Sequence, residues 1–105
     1  MNDITVEELA QWHRTGKRFV LLDVRDPDEI ETVTVDWARW IPMHEIPQRL
    51  AELPKDEPIA VMCHHGGRSE RVAAFLSARG FVHVVNVDGG IDAYAERIDP
   101  SLTRY

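Results

Sequence analysis

Cys63 is the only cysteine among 105 residues, and its neighbours decide what its thiol can do. The stretch from Ile59 to Ser69 reads Ile-Ala-Val-Met-Cys-His-His-Gly-Gly-Arg-Ser. A four-residue apolar run bounded by a glycine turn predicts a buried parallel strand. From Ser69 onward the apolar spacing becomes helical. Cys63 therefore falls where a strand gives way to a helix, at the edge where open α/β sheets place their ligands. A helix N-terminus carries unpaired N–H groups and partial positive charge, which lowers a thiol pKa and attracts anions. Gly66 and Gly67 let successive amides point into one concavity. Arg68 adds a permanent cation with a planar fork of donors. These residue types in this order predict a cup for a thiolate that carries an anionic or highly polarised group.

A cysteine at a strand end is most often a small buried hydrophobe. An ordinary strand-to-helix connection, however, needs one glycine at most and no arginine beside the helix cap. The loop therefore favours a reactive thiol. A metal centre is not expected. Cys63, His64 and His65 are consecutive and do not easily face one ion together, and no Cys-x-x-Cys pair completes a tetrahedral set. No cofactor is expected either.

The residues Cys63-His64-His65-Gly66-Gly67-Arg68-Ser69 resemble the Cys-x-x-Gly-x-Arg-Ser loop of single-domain rhodaneses. Leu22-Asp23-Val24-Arg25 with Glu29 is similar to the early Asp-x-Arg motif of that family. Ile41-Pro42-Met43, Gly89-Gly90-Ile91-Asp92-Ala93 and Asp99-Pro100-Ser101 extend the resemblance over nearly the whole chain. Two places depart from it. Thr32 to Trp40 lacks the family's Gly-His-Ile-like element, and Tyr94 stands where the family usually has Trp.

The resemblance implies one rhodanese-like α/β domain over residues 1–105. Its sheet would be mostly parallel, with about five short strands and helices on both faces. The implied activity is transfer of a sulfane sulfur through a persulfide on Cys63, by double displacement. His64, His65, Gly66, Gly67, Arg68 and Ser69 would bind the substrate. The implied partners are a small anionic donor such as thiosulfate, a cyanide or thiol acceptor, and a sulfur-relay protein. Arg68 would either orient a sulfonate-like donor or hold the loop by bonding carbonyls. A sulfur carrier or docking module fed by a protein partner is the alternative from another class. A cysteine phosphatase is disfavoured, because such loops place five residues between Cys and Arg and this one has four. A redox sensor would lack a second cysteine to resolve a sulfenic acid.

Composition bounds the reading further. Eighteen acidic against twelve basic side chains give a net charge of −6, which argues against nucleic acid and anionic membrane as partners. One cysteine forms no internal disulfide, so a reducing, cytoplasmic home is expected. No apolar run is long enough to cross a bilayer, and Met1-Asn2-Asp3-Ile4 does not begin a secretion signal.

Several elements must position the loop. Thr5 and Glu8 form a capping-box pattern for a helix carrying Val6, Leu9, Ala10 and His13, with Gly16 as its end. Phe19 to Leu22 reads as the first buried strand. Asp23 and Arg25, two apart at the strand end, would share a face if the strand continued, and a structural ion pair or a turn anchor is favoured over an anion site. Pro27 sits near the first position of a short helix with Asp28 and Glu29 in its opening turn. Val33 and Val35, alternating with Thr32, Thr34 and Asp36, predict a short half-exposed strand. Trp37 and Trp40 read as packing residues, or as a partner surface if exposed together. Ile46, Leu50 and Leu53 suggest a helix from His44 or Pro47 that ends before Pro54. Val72, Phe75, Leu76 and Arg79 share a helix face that ends at Gly80. Val84, Val85 and Val87 mark the last strand. Gly89-Gly90 turns into a final helix with Ile91, Tyr94, Ala95 and Ile98 on one stripe. Strands alternating with helices predict right-handed crossovers and a mostly parallel sheet covered on both faces.

Overall fold

A computed structural model describes residues 2–105. The order is β1 (Asn2–Ile4), α1 (Val6–Arg14), β2 (Val20–Asp23), α2 (Pro27–Thr32) and β3 (Arg39–Trp40). Two 3₁₀ turns follow, Met43–Gln48 and Leu50–Glu52. Then come β4 (Ile59–Met62), α3 (Gly67–Ala78), β5 (Val84–Val87) and α4 (Gly90–Arg97). Every strand pairing is parallel, in the order β1-β5-β4-β2-β3. Among the described residues no helix is long and apolar enough to cross a membrane.

β4 is the middle strand, and each of its residues is buried. Its side chains still alternate, as a pleated backbone requires. Ile59, Val61 and Cys63 enter one core, with Leu22, Ile41, Val72 and Leu76. Ala60 and Met62 enter the other, with Leu9, Val87, Ile91 and Tyr94. The sheet is thus sandwiched, and Cys63 follows the carboxyl end of its central strand. Thr5 closes a capping box with Glu8 as its spacing predicts.

Asp23 and Arg25 form a fully buried ion pair. Arg25 donates to the Asp23 carboxylate at 2.9 Å from Nε and 2.7 Å from one terminal nitrogen. Its remaining donors go to the carbonyls of Glu29 and Val33 and to the Tyr105 hydroxyl. A buried charge needs its partners this completely satisfied. Every guanidinium nitrogen of Arg25 is thus bonded within the protein, as the ion-pair reading expects.

Three expectations are corrected. Thr32 to Asp36 is not a strand. α2 runs through Thr32, and the edge strand is instead Arg39–Trp40, paired with Leu22 and Asp23. Val35 is buried for packing, not for a ladder. The segment after Pro42 forms 3₁₀ turns rather than an α-helix. Pro47 lies inside it, where it donates no N–H and biases Ile46 away from the α region. α3 begins at Gly67, two residues before Ser69, with Gly66 at its N-cap and φ +121°. The two tryptophans do not act as a pair. Trp37 stacks on His13, with centroids 3.9 Å apart, and meets Phe19 edge-on. Trp40 is 38% exposed and donates from its indole nitrogen to the Arg25 carbonyl at 2.8 Å.

The Gly89-Gly90 turn brings the start of α4 against the Cys63 loop. Ile91 N–H donates to the Cys63 carbonyl at 2.9 Å, and Asp92 N–H donates to the His64 carbonyl at 3.1 Å. Gly90 has φ +59°, and a Cβ there would collide with both of those carbonyl oxygens. Gly90→Ala should therefore cost about 2–5 kcal/mol, from left-handed strain plus overpacking. Gly67→Ala, with nothing within 4 Å of its Cβ position, should change stability by less than about 0.5 kcal/mol. Urea unfolding of the two variants checks this, and equal losses would contradict it.

Candidate active site

The loop wraps its own N–H groups around the Cys63 sulfur. Gly66 N–H donates to Sγ at 3.1 Å and Ser69 N–H at 3.4 Å. The Ser69 hydroxyl lies 3.3 Å from Sγ. This geometry follows from the early helix start. Gly66 takes a conformation that other residues rarely adopt, and the first turn of α3 then points its free amides at the sulfur. Cys63 is 1% exposed, and that burial pushes the thiol upward. The Ser69 hydroxyl and the amides of Ser69, Gly66 and Arg68 outweigh it, and the thiol lies below its ordinary value.

Arg68 neither stands free nor bonds loop carbonyls. Its guanidinium makes a two-pronged pair with the Glu29 carboxylate on α2, at 2.6 and 2.8 Å. The loop is thereby tied to α2 through a side-chain ion pair. Glu29 also accepts from the Tyr105 hydroxyl at 2.7 Å. The Arg68 pair, opposed by burial and aided by Tyr105, holds the Glu29 carboxyl down at about 2. Burial pushes the Tyr105 phenol up to about 12, so it stays a donor.

His64 lies flat against Tyr105, with ring centroids 3.8 Å apart, and its Nε2 bonds the Tyr105 main-chain oxygen at 2.8 Å. His65 leans on His64 and is two-thirds exposed. Their ring nitrogens and an Asp92 oxygen lie within 4.8 Å of one another. Arg104 already supplies the cation, holding both oxygens of Asp92 at 3.0 and 3.1 Å. That pair keeps the Asp92 carboxyl below its usual range.

Of the residues singled out from sequence, Cys63, Gly66, Arg68 and Ser69 converge on or beside the sulfur. Gly67 opens α3, and the side chains of His64 and His65 turn toward Tyr105 and Asp92. Sequence reasoning missed Tyr105 and Asn86. Tyr105 had no local signal, because its partners Arg25 and Glu29 lie 80 and 76 residues away. Asn86 had one: it is the single polar residue in the strand Val84–Val87, and it is buried.

The Arg68–Glu29 pair carries a pH signature. A carboxyl whose folded pKa is depressed stabilises fully above its unfolded value and loses that effect as pH falls through the folded one. For Glu29 the window runs from about 4.5 down to about 2. The shift corresponds to about 3 kcal/mol. Glu29→Gln should lower stability at neutral pH by up to that amount, and the deficit should shrink as acid is added through this window. Urea midpoints over a pH series read it out, and a deficit independent of pH would contradict it.

A rhodanese-like domain model matches residues 5–97. A protein named sulfurtransferase from Allochromatium vinosum is 38% identical over 95 residues, covering 90% of this chain and 89% of its own. The probable adenylyltransferase/sulfurtransferase MoeZ of Mycobacterium tuberculosis is 38% identical over 104 residues, but this chain spans 26% of its length. The crystal structure of a rhodanese-like domain protein from Staphylococcus aureus superposes with a TM-score of 0.86 at 33% identity, covering 100% of this chain and 99% of that one. This chain belongs to the rhodanese-like domain family.

Proposed function

We propose that this chain moves a sulfane sulfur from a small anionic donor such as thiosulfate to a thiophilic acceptor, through a persulfide on Cys63. Sulfur transfer in general accords with the family and its sulfurtransferase-named relatives. The observation that carries the finer reading is the convergence of two amides and one hydroxyl on a single sulfur. Charge-assisted bonds of this kind are worth about 1.5–3 kcal/mol each, and they serve a thiolate and a persulfide anion alike.

In the first half-reaction the Cys63 thiolate attacks the outer sulfur of thiosulfate. A sulfur–sulfur bond forms to Cys63, the bond inside thiosulfate breaks, and sulfite leaves with its electron pair. In the second, cyanide or a cellular thiolate attacks the terminal sulfur of Cys63-S-S⁻. The new sulfur leaves with the acceptor, and the thiolate returns. No general base is assigned, because the amides and the Ser69 hydroxyl lower the thiol's pKa and so favour the anion that attacks. Arg68 supplies positive charge beside the loop, and Glu29 balances it, so the attraction acts at short range within a chain of net charge −6. His64 and His65 shape the approach, with Tyr105 packed on the first. Residues 1–105 act as one unit, in a reducing cytoplasmic setting where Cys63 stays free.

Phosphate transfer is less well supported. Four residues between Cys63 and Arg68 make a tight cup, and the Arg68 fork is already taken by a carboxylate.

Steady-state assays with thiosulfate and cyanide test the proposal. Parallel double-reciprocal lines are expected, as a covalent intermediate requires. Cys63→Ser should reduce turnover to background with little change in unfolding midpoint. Retained turnover, or intersecting lines, would overturn the mechanism. Absence of thiosulfate turnover with sulfur uptake from a protein persulfide would assign the relay role instead.

A further inference from the structure

Ser69 has one hydroxyl proton and three acceptors around it. The Gly66 carbonyl lies at 3.1 Å, Asn86 Oδ1 at 2.5 Å and Cys63 Sγ at 3.3 Å. Ser69 is fully buried and Asn86 is 3% exposed, so neither exchanges partners freely with water. Asn86 reaches this point from β5, where it pairs in register with Val61 of β4. A buried hydroxyl that donates to the asparagine carbonyl can only accept from the cysteine. That arrangement suits a protonated thiol. A thiolate reverses the demand, because it accepts and cannot donate. Ser69 must then turn its proton to the sulfur, and two oxygens, Ser69 Oγ and Asn86 Oδ1, would face each other with no hydrogen between them. An unpaired buried acceptor contact of this kind is costly. An asparagine side chain resolves it by exchanging its two ends, since its oxygen and nitrogen are nearly equal in shape.

We propose that Asn86 is a positioning residue that sets the direction of the hydrogen-bond chain Asn86–Ser69–Cys63, presenting its carbonyl to Ser69 beside the thiol and its amide N–H beside the sulfur anion. The chain then runs from Asn86 Nδ2 to Ser69 Oγ to sulfur. The same polarity serves the persulfide anion, a point that rests on the proposed sulfur transfer. The thiolate arm does not. No proton leaves the Asn86–Ser69 pair; only the orientation of each donor changes. Other charged or titratable groups around the loop are Arg68 from α3, paired with Glu29 of α2 and 3.8 Å from Asp26, the loop histidines, and Asp92 of α4 with Arg104. The substitutions below leave all of them in place.

Asn86→Asp retains size and acceptance but removes the donor. Because Cys63 is the only cysteine, ultraviolet thiolate absorbance against pH, with Cys63→Ser as the blank, reports its titration alone. Asn86→Asp should raise the midpoint by at least about one unit, a tenfold loss of thiolate below it. In a Ser69→Ala background the same substitution should shift it by less than half as much, since the connection through Ser69 is gone. An unchanged midpoint would reduce Asn86 to a structural role. Equal shifts in both backgrounds would mean direct charge repulsion. Either result overturns the proposal. If Asn86→Asp does not fold, Asn86→Leu replaces it. A shift present with Ser69 and absent in the Ser69→Ala background supports the chain, and no shift, or equal shifts in both, overturns it. Mass gain from thiosulfate is scored separately, so failure of sulfur transfer is distinguishable from failure of the Asn86 assignment.

Discussion

A buried sulfur that carries negative charge needs hydrogen-bond donors fixed before the charge forms, and here backbone supplies most of them. The amides of Gly66 and Ser69 aim at Cys63 Sγ because α3 starts at Gly67, immediately after a residue with φ +121°. The loop is fixed from behind by α4, whose first amides take up the Cys63 and His64 carbonyls. Gly90 permits that approach through the absence of a side chain. Two glycine positions and two helix N-termini therefore determine the chemistry available to one thiol. Buried donors of this kind act in a low dielectric, where each is worth more than in water.

Around this centre runs a line of charged and polar side chains. Asp23 holds Arg25, Arg25 holds the Tyr105 hydroxyl, Tyr105 donates to Glu29, and Glu29 grips Arg68. The line begins at the carboxyl end of β2 and ends at the start of α3, beside the sulfur. It couples the sheet edge, α2, Tyr105 and the loop through direct side-chain contacts. At its buried start, removing either Asp23 or Arg25 would leave the other charge unpaired, which is far more costly than the pair is favourable.

The sequence disclosed the loop because its determinants are local: an apolar strand, a thiol, two glycines, an arginine and a helix start within eleven residues. A mostly parallel sheet was legible for the same reason, since β2, β4 and β5 are largely apolar runs followed by turns or helices. β1 and β3 were not, because strands of three and two residues are too short to show a period. Val33 and Val35 alternated like a strand yet pack as loop residues in the core that α1 and α4 cover. Pro47 was the overlooked sign that residues 43–53 would form 3₁₀ turns. The Glu29–Arg68 pair spans 39 residues, and the Tyr105 hydroxyl contacts span most of the chain, so nothing in local spacing reveals them.

In the proposed reaction Cys63 carries the sulfur in transit. Intact-protein mass after incubation with thiosulfate addresses it directly. A gain of about 32 Da, one sulfur, is expected, lost again on addition of cyanide and absent from Cys63→Ser. A protein that gains no sulfur from thiosulfate, polysulfide or a persulfide-bearing protein would contradict it.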